Sequence, residues 1–209
     1  MCVKPRNLFL LLAGLAHLGC PAFAEETVPV GKPADAVGGF FAKGNWEGMA
    51  GGAVLFSPVG AVGGRPRVNY AVAVGQAGCM ITEVGAPGLL RGNFEAVGEV
   101  FGGGIYEGRG TYVSGVTFWG RYNFVPPGWR VTPYAQLGLG VGLADKDKSV
   151  FGSLFGFNID AAVGTRFFLR PRLALHAEYR FQHISNANSA PHNLGVNAHG
   201  PMVGLAWLF

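Results

Sequence analysis

The chain has 209 residues, of which 35 are glycine, 16 are phenylalanine and only 13% are charged. It is long enough for one domain and too evenly apolar to be disordered, yet it carries far less than the charge of about a quarter usual in soluble domains. The net charge of +4 is modest, and no Lys/Arg run forms the footprint of a nucleic-acid partner.

Residues 1–24 have the make-up of an export signal. Lys4 and Arg6 precede the apolar run "LFLLLAGLAHLG" (8–19), which is too short to span a membrane as a helix. "AFA" (22–24) then offers the small-x-small pattern of a cleavage site. A lipoprotein signal at Cys20 fits less well, because His17 interrupts the apolar approach. Cleavage after Ala24 leaves 14 basic and 12 acidic residues and one cysteine, Cys79. A single thiol excludes an intramolecular disulfide, and a small apolar filler is its simplest role.

After residue 24 no run offers the roughly 20 apolar residues of a membrane helix. Residues 25–44 fit no strand well and read as a periplasmic lead-in or a small plug. From residue 45 onward apolar and polar residues alternate with period two, as strands with one apolar and one polar face require. Eight such runs follow in order, at 45–56, 68–78, 92–103, 112–124, 130–143, 155–169, 172–186 and 198–209. In "GVTFWGRYNF", Val116, Phe118, Tyr122 and Phe124 share one row, while Thr117, Trp119, Arg121 and Asn123 share the other.

Most runs reach the 9–11 residues or so that a tilted membrane strand needs. The connectors differ by side. "GAPG" (85–88), "VPPG" (125–128) and "RPR" (170–172) read as tight turns, "GGIYEGRG" (103–110) as intermediate, and 57–67, 144–153 and 188–195 as longer loops. Short turns on one side and long loops on the other mark an outer-membrane barrel. The closing row Val203, Leu205, Trp207 and Phe209 ends on an aromatic, the kind of C-terminal signal that such barrels present to barrel-assembly machinery. The fold expected is therefore all-β: an eight-stranded antiparallel transmembrane β-barrel over residues 45–209. Glu95, Glu99, Arg121, Asp160, Arg166, Glu178 and Arg180 would line its interior and pair there, since eight strands enclose just enough room for side chains. The glycines of "GLGVG" (138–142) suit close packing rather than phosphate binding, because no helix follows them.

In the seventh run, "LALHAEYRFQHIS", the apolar row Leu173, Leu175, Ala177, Tyr179, Phe181 continues into His183 and Ser185. Residues i and i+2 on one strand face are neighbours, so a Ser–His hydrogen bond can form there. Both belong to the lipid-facing row. With both termini periplasmic, odd-numbered strands run outward, and the pair reaches the outer leaflet, where an ester-bearing lipid is at hand. The bland alternative is a pair of ordinary interfacial polar residues. Against it, the adjoining loop supplies Asn186, Asn193 and Asn197. His176 lies on the inner row near Glu178; His192 and His199 show no metal-ligand spacing.

The stretch His183-x-Ser185-Asn186-Ala187, a short loop, then Asn193-x-Gly195-Val196 resembles the signature of the lipid A 3-O-deacylase (PagL) family of outer-membrane esterases. The strong resemblance covers about 15 residues, and the eight-stranded plan extends it over the rest of the mature chain. It implies a serine carboxylic-ester hydrolase that removes an ester-linked acyl chain, at the 3 position, from the lipid A of lipopolysaccharide. Ser185 would be the nucleophile and His183 its general base. Asn193 would serve in the oxyanion hole with backbone N–H groups after Ser185, and Asn186 in support. Asn197 stands where the family places Glu, which makes the third member of the triad electrostatically weaker. No cofactor or metal is implied; the outer membrane of a Gram-negative bacterium is the expected location, and a homodimer is compatible with the plan. The competing readings are a non-catalytic small barrel with a structural or adhesion role and, third, an acyltransferase.

Overall fold

A computed structural model describes residues 38–57, 67–145, 153–191 and 193–209. The expected signal peptide, the first part of the lead-in and His192 lie outside them.

Eight strands run in chain order: β1 (Trp46–Leu55), β2 (Val68–Met80), β3 (Gly92–Gly108), β4 (Tyr112–Phe124), β5 (Val131–Ala144), β6 (Phe155–Phe168), β7 (Leu173–Ser185) and β8 (Val196–Leu208). Each pairs antiparallel with the next, and β1 pairs with β8, closing the barrel. Closure leaves no unpaired edge, which hydrocarbon cannot solvate. The period-two pattern becomes two surfaces. Along β7, Ala174, His176, Glu178, Arg180, Gln182 and Ile184 are buried, whereas Leu175, Tyr179, Phe181, His183 and Ser185 face outward. Leu137, Leu139, Val163, Val203 and Leu205 are all at least half exposed. An apolar surface of this extent is stable only against lipid.

The interior is filled. Arg121 contacts Glu47 and Glu95 at 3.0 and 3.4 Å. Arg166 contacts the same two carboxylates at 2.5 and 3.0 Å. Arg180 contacts Glu99 at 2.8 Å and Glu178 at 2.7 Å. The Tyr134 hydroxyl joins Glu178 at 2.8 Å and also meets His176. The three guanidiniums are at most 1% exposed, so their desolvation has to be offset by these several partners. The expected inner-wall pairing is present for every residue named except Asp160. Its carboxylate instead takes hydrogen bonds from Asn158 and Thr117 at 2.5 and 3.3 Å. Gly138 leaves room for the Trp119 ring, 2.7 Å from where its Cβ would lie. Towards the end where β7 finishes and β8 begins the core turns apolar, with Ile184, Val196 and Ala198 buried behind the wall that carries the site.

The end where β1 begins and β8 ends is capped from within the lead-in. Phe41 is fully buried beside Met80, Val125 and Leu208, and its carbonyl accepts a hydrogen bond from Asn93 Nδ2 at 2.6 Å. Two connectors differ from the sequence reading. The supposed tight turn at 85–88 is part of a longer connection, 81–91, held by a Gly85–Gly92 bridge and a short 3-10 turn at Gly88–Leu90. The supposed intermediate loop at 103–110 is mostly strand. Gly108 and Gly110 adopt φ of 108° and 128°, a region open to glycine, so β3 and β4 continue to a tight turn.

The two surfaces make opposite demands. Leu137→Arg places a charge mid-strand on the lipid side and should destabilise by about 2–4 kcal/mol, read from denaturant unfolding in phospholipid vesicles. Unchanged stability would take that row out of the membrane. Arg166→Leu leaves Glu47 and Glu95 with one guanidinium between them, and by the same measurement should destabilise by about 3–5 kcal/mol.

Candidate active site

The site forms where β7 ends, the loop 186–195 turns back and β8 begins. Register puts His183 directly opposite Asn197, and both belong to the outward row, half-buried. Their contact is close, 2.6 Å from His183 Nδ1 to Asn197 Oδ1. The Asn carbonyl accepts the Nδ1 proton and leaves Nε2 with its lone pair, the form a general base needs. Ser185 lies two residues further along the same row, about 6.6 Å along the strand, beside Phe157 of β6. Among the described residues no hydrogen bond joins the Ser185 hydroxyl to His183.

The loop is organised by Asn186, whose side chain is fully buried. Its Oδ1 accepts the Asn188 N–H at 2.9 Å, its Nδ2 donates to the Ala190 carbonyl at 3.3 Å, and its own carbonyl accepts the Ser189 hydroxyl at 2.7 Å. These bonds hold Ala187 and Asn188 in the left-handed region, at φ of 51° and 61°, where residues other than glycine are strained. Asn193 is turned towards the same segment. Its Oδ1 accepts the Asn186 N–H at 3.1 Å and its Nδ2 donates to Asn188 Oδ1 at 3.0 Å. The two groups expected to face an oxyanion thus face each other, and one N–H of the Asn193 amide bonds to no described residue.

Gly195 had no assigned role in the sequence reading beyond its place in the motif. Its φ is +64°, and a Cβ there would lie 3.1 Å from His183 Cε1. Glycine is what lets the chain pass the imidazole edge. His176 is buried in the interior with Tyr134 and Glu178 and takes no part in the site.

A groove of about 500 Å³ crosses the outer wall from the site strand. Gly120, Ala135 and Ala161 leave it hollow, and Tyr122, Leu137, Val163, Tyr179 and Phe181 border it. Phe181 is two positions from His183 on the same row, and from it the hollow descends across β6 and β5 to β4.

The family model for lipid A 3-O-deacylase (PagL) matches residues 91–206, a span that holds the whole site. The chain belongs to the lipid A 3-O-deacylase (PagL) family. It is accordingly a protein of the Gram-negative outer membrane. No curated protein matches it by sequence. Among solved structures, Neisserial surface protein A is 17% identical, with a TM-score of 0.58 over 78% of this chain and 97% of that one. The N-terminal barrel domain of Pseudomonas aeruginosa OprF is 11% identical, with a TM-score of 0.50 over 79% and 98%. The outer membrane enzyme PagL is 15% identical, with a TM-score of 0.49 over 76% and 97%. At such identities the likenesses to Neisserial surface protein A and OprF show the barrel fold alone.

If Asn197 sets the imidazole tautomer, Asn197→Leu should replace the single Nδ1-protonated form of His183 with a mixture. Nitrogen NMR of the labelled imidazole reads this directly, and an unchanged spectrum would show that the tautomer is set elsewhere.

Proposed function

We propose that this chain hydrolyses the ester-linked 3-O-acyl chain of lipid A at Ser185, with His183 as general base and Asn197 holding the imidazole. The observation that carries this reading is the 2.6 Å His183–Asn197 contact on the lipid-facing row, one residue pair from Ser185. The end of the barrel where β7 finishes and β8 begins is taken as the cell surface, so the serine meets the lipopolysaccharide leaflet.

The chemistry runs in two halves. His183 Nε2 takes the Ser185 proton as Oγ attacks the ester carbonyl carbon. The tetrahedral intermediate collapses, the sugar oxygen leaves with the proton from His183, and the acyl group stays on Ser185. Water, deprotonated by His183, then attacks the acyl-enzyme; as the second tetrahedral intermediate collapses, Ser185 Oγ leaves and takes the proton back from His183, and the fatty acid is released. The remaining N–H of Asn193 is assigned to the developing oxyanion; a lost donor of this kind costs about 10²–10³ in rate. The hollow over Ala161 and Ala135 receives the acyl chain, which keeps its apolar surface out of water during the reaction.

The rival reading is a barrel without catalysis. It is favoured by Asn at 197, which cannot carry the charge that stabilises an imidazolium, and by the absent Ser185–His183 hydrogen bond among the described residues.

Lipid A from cells that make the protein should be lighter by one acyl chain than lipid A from cells that lack it, as read by mass spectrometry. Ser185→Ala should leave less than about a thousandth of the rate while the barrel still assembles. Asn197→Glu should raise the rate about tenfold or more, because in serine triads losing the carboxylate costs about 10⁴. A folded wild-type protein that leaves both lipid A and simple esters intact supports the rival reading. Full activity in Ser185→Ala would keep the enzyme and move its site.

A further inference from the structure

Further from the loop on the same outer face, one outward position from Asn197 on β8 and two from His183 on β7, His199 and Tyr179 form a second polar pair. The Tyr179 hydroxyl and His199 Nδ1 are 2.5 Å apart, with the rings 5.8 Å between centroids and inclined at 42°. β8 places His199 opposite Phe181, and on its other side Phe56 bridges to it. Tyr179 is 53% exposed and His199 half-buried. Both therefore sit in a row that otherwise carries Phe181, Val203 and Leu205 into hydrocarbon, where unpaired polar groups are costly.

The pair cannot satisfy itself completely. If the tyrosine donates to Nδ1, the histidine keeps its proton on Nε2 and points an N–H outward. If Nδ1 donates to the tyrosine, the phenolic O–H is left to point outward. Each arrangement leaves one donor that bonds to no described residue. Tyr179 also borders the groove, so a chain lying in that hollow passes the ring whose hydroxyl belongs to this pair.

We propose that Tyr179 and His199 form a specificity element that donates a hydrogen bond to an oxygen in the acyl region of the substrate. That oxygen is a hydroxyl or an ester or amide carbonyl, and the pair favours lipids that carry it over lipids with plain hydrocarbon chains. The proposal rests on the deacylase reading for its choice of substrate. A carbonyl and a hydroxyl oxygen offer the same acceptor chemistry and can come from the chain that is cleaved or from a neighbouring chain on the same lipid.

The test compares lipid A with oxygen-bearing chains against a synthetic analogue with plain chains, both in mixed micelles. Tyr179→Phe and His199→Leu suit the lipid-facing row, and heat-modifiable mobility reports their assembly. In the wild type kcat/KM should favour the oxygen-bearing lipid. Each substitution should lower that preference about tenfold, the worth of one hydrogen bond, and the double variant should lower it little further. An unchanged preference, or an equal loss on both lipids, overturns the proposal. Analogues lacking the oxygen on the ester-linked chain alone, or on the other chains alone, identify which chain carries it; retention of the full preference by both overturns recognition at one oxygen.

Binding separates this outcome from failure of the enzyme reading. In a Ser185→Ala background the Kd ratio for the two lipids should shift as the kinetic preference does. If the wild type hydrolyses neither lipid, the deacylase reading fails while the Kd ratio still decides the recognition. A ratio insensitive to both substitutions overturns it.

Discussion

A strand inside a bilayer has no water to satisfy its backbone, so every N–H and C=O must find a partner in the next strand. This constraint governs the rest of the molecule. It forces β1 onto β8, and closure then gives each strand one face towards lipid and one towards a narrow interior. The interior of an eight-stranded barrel holds side chains rather than a channel. Arg121, Arg166 and Arg180 occupy it with Glu47, Glu95, Glu99 and Glu178, each ion placed where several partners share its desolvation cost.

The same constraint explains how the proposed catalytic arrangement can lie on the outside of a protein. An interior this full leaves no room for a lipid. The outward row is the surface that touches acyl chains, and polar groups there are tolerated where the row approaches an interface. His183, Ser185 and Asn197 stand at that end of β7 and β8, backed by the packed apolar wall of Ile184, Val196 and Ala198. Rigidity beneath and lipid above suit a site whose substrate never leaves the membrane.

Strand parity made much of this readable before any coordinates. Assigning His183 and Asn197 to the lipid row needed only the alternation along β7 and β8, and their contact followed once the register was known. The charged inner row was equally visible, apart from Glu47, which joins Arg121 and Arg166; Asp160 lies on that row as expected but takes hydrogen bonds in place of an ion pair. What escaped the sequence depended on glycine or on cross-strand register. The Gly102–Gly104 stretch carries no alternation, so the continuation of β3 to Gly108 was hidden. The turn of Asn193 towards the Asn186 N–H depends on two left-handed residues that no pattern announces. The approach of Gly195 to the imidazole is a matter of ångströms. Tyr179 and His199 are 20 positions apart, and only the β7–β8 register brings them together.

The central claim is that a serine on the lipid face is a nucleophile activated by its neighbour. A fluorophosphonate ester with a long alkyl chain, added to outer membranes that contain the folded barrel, tests it directly. Intact-mass and peptide analysis should find one adduct per chain, on Ser185, and little labelling when His183 is replaced by Ala. An unlabelled wild-type chain, or an adduct on another residue, would contradict the account.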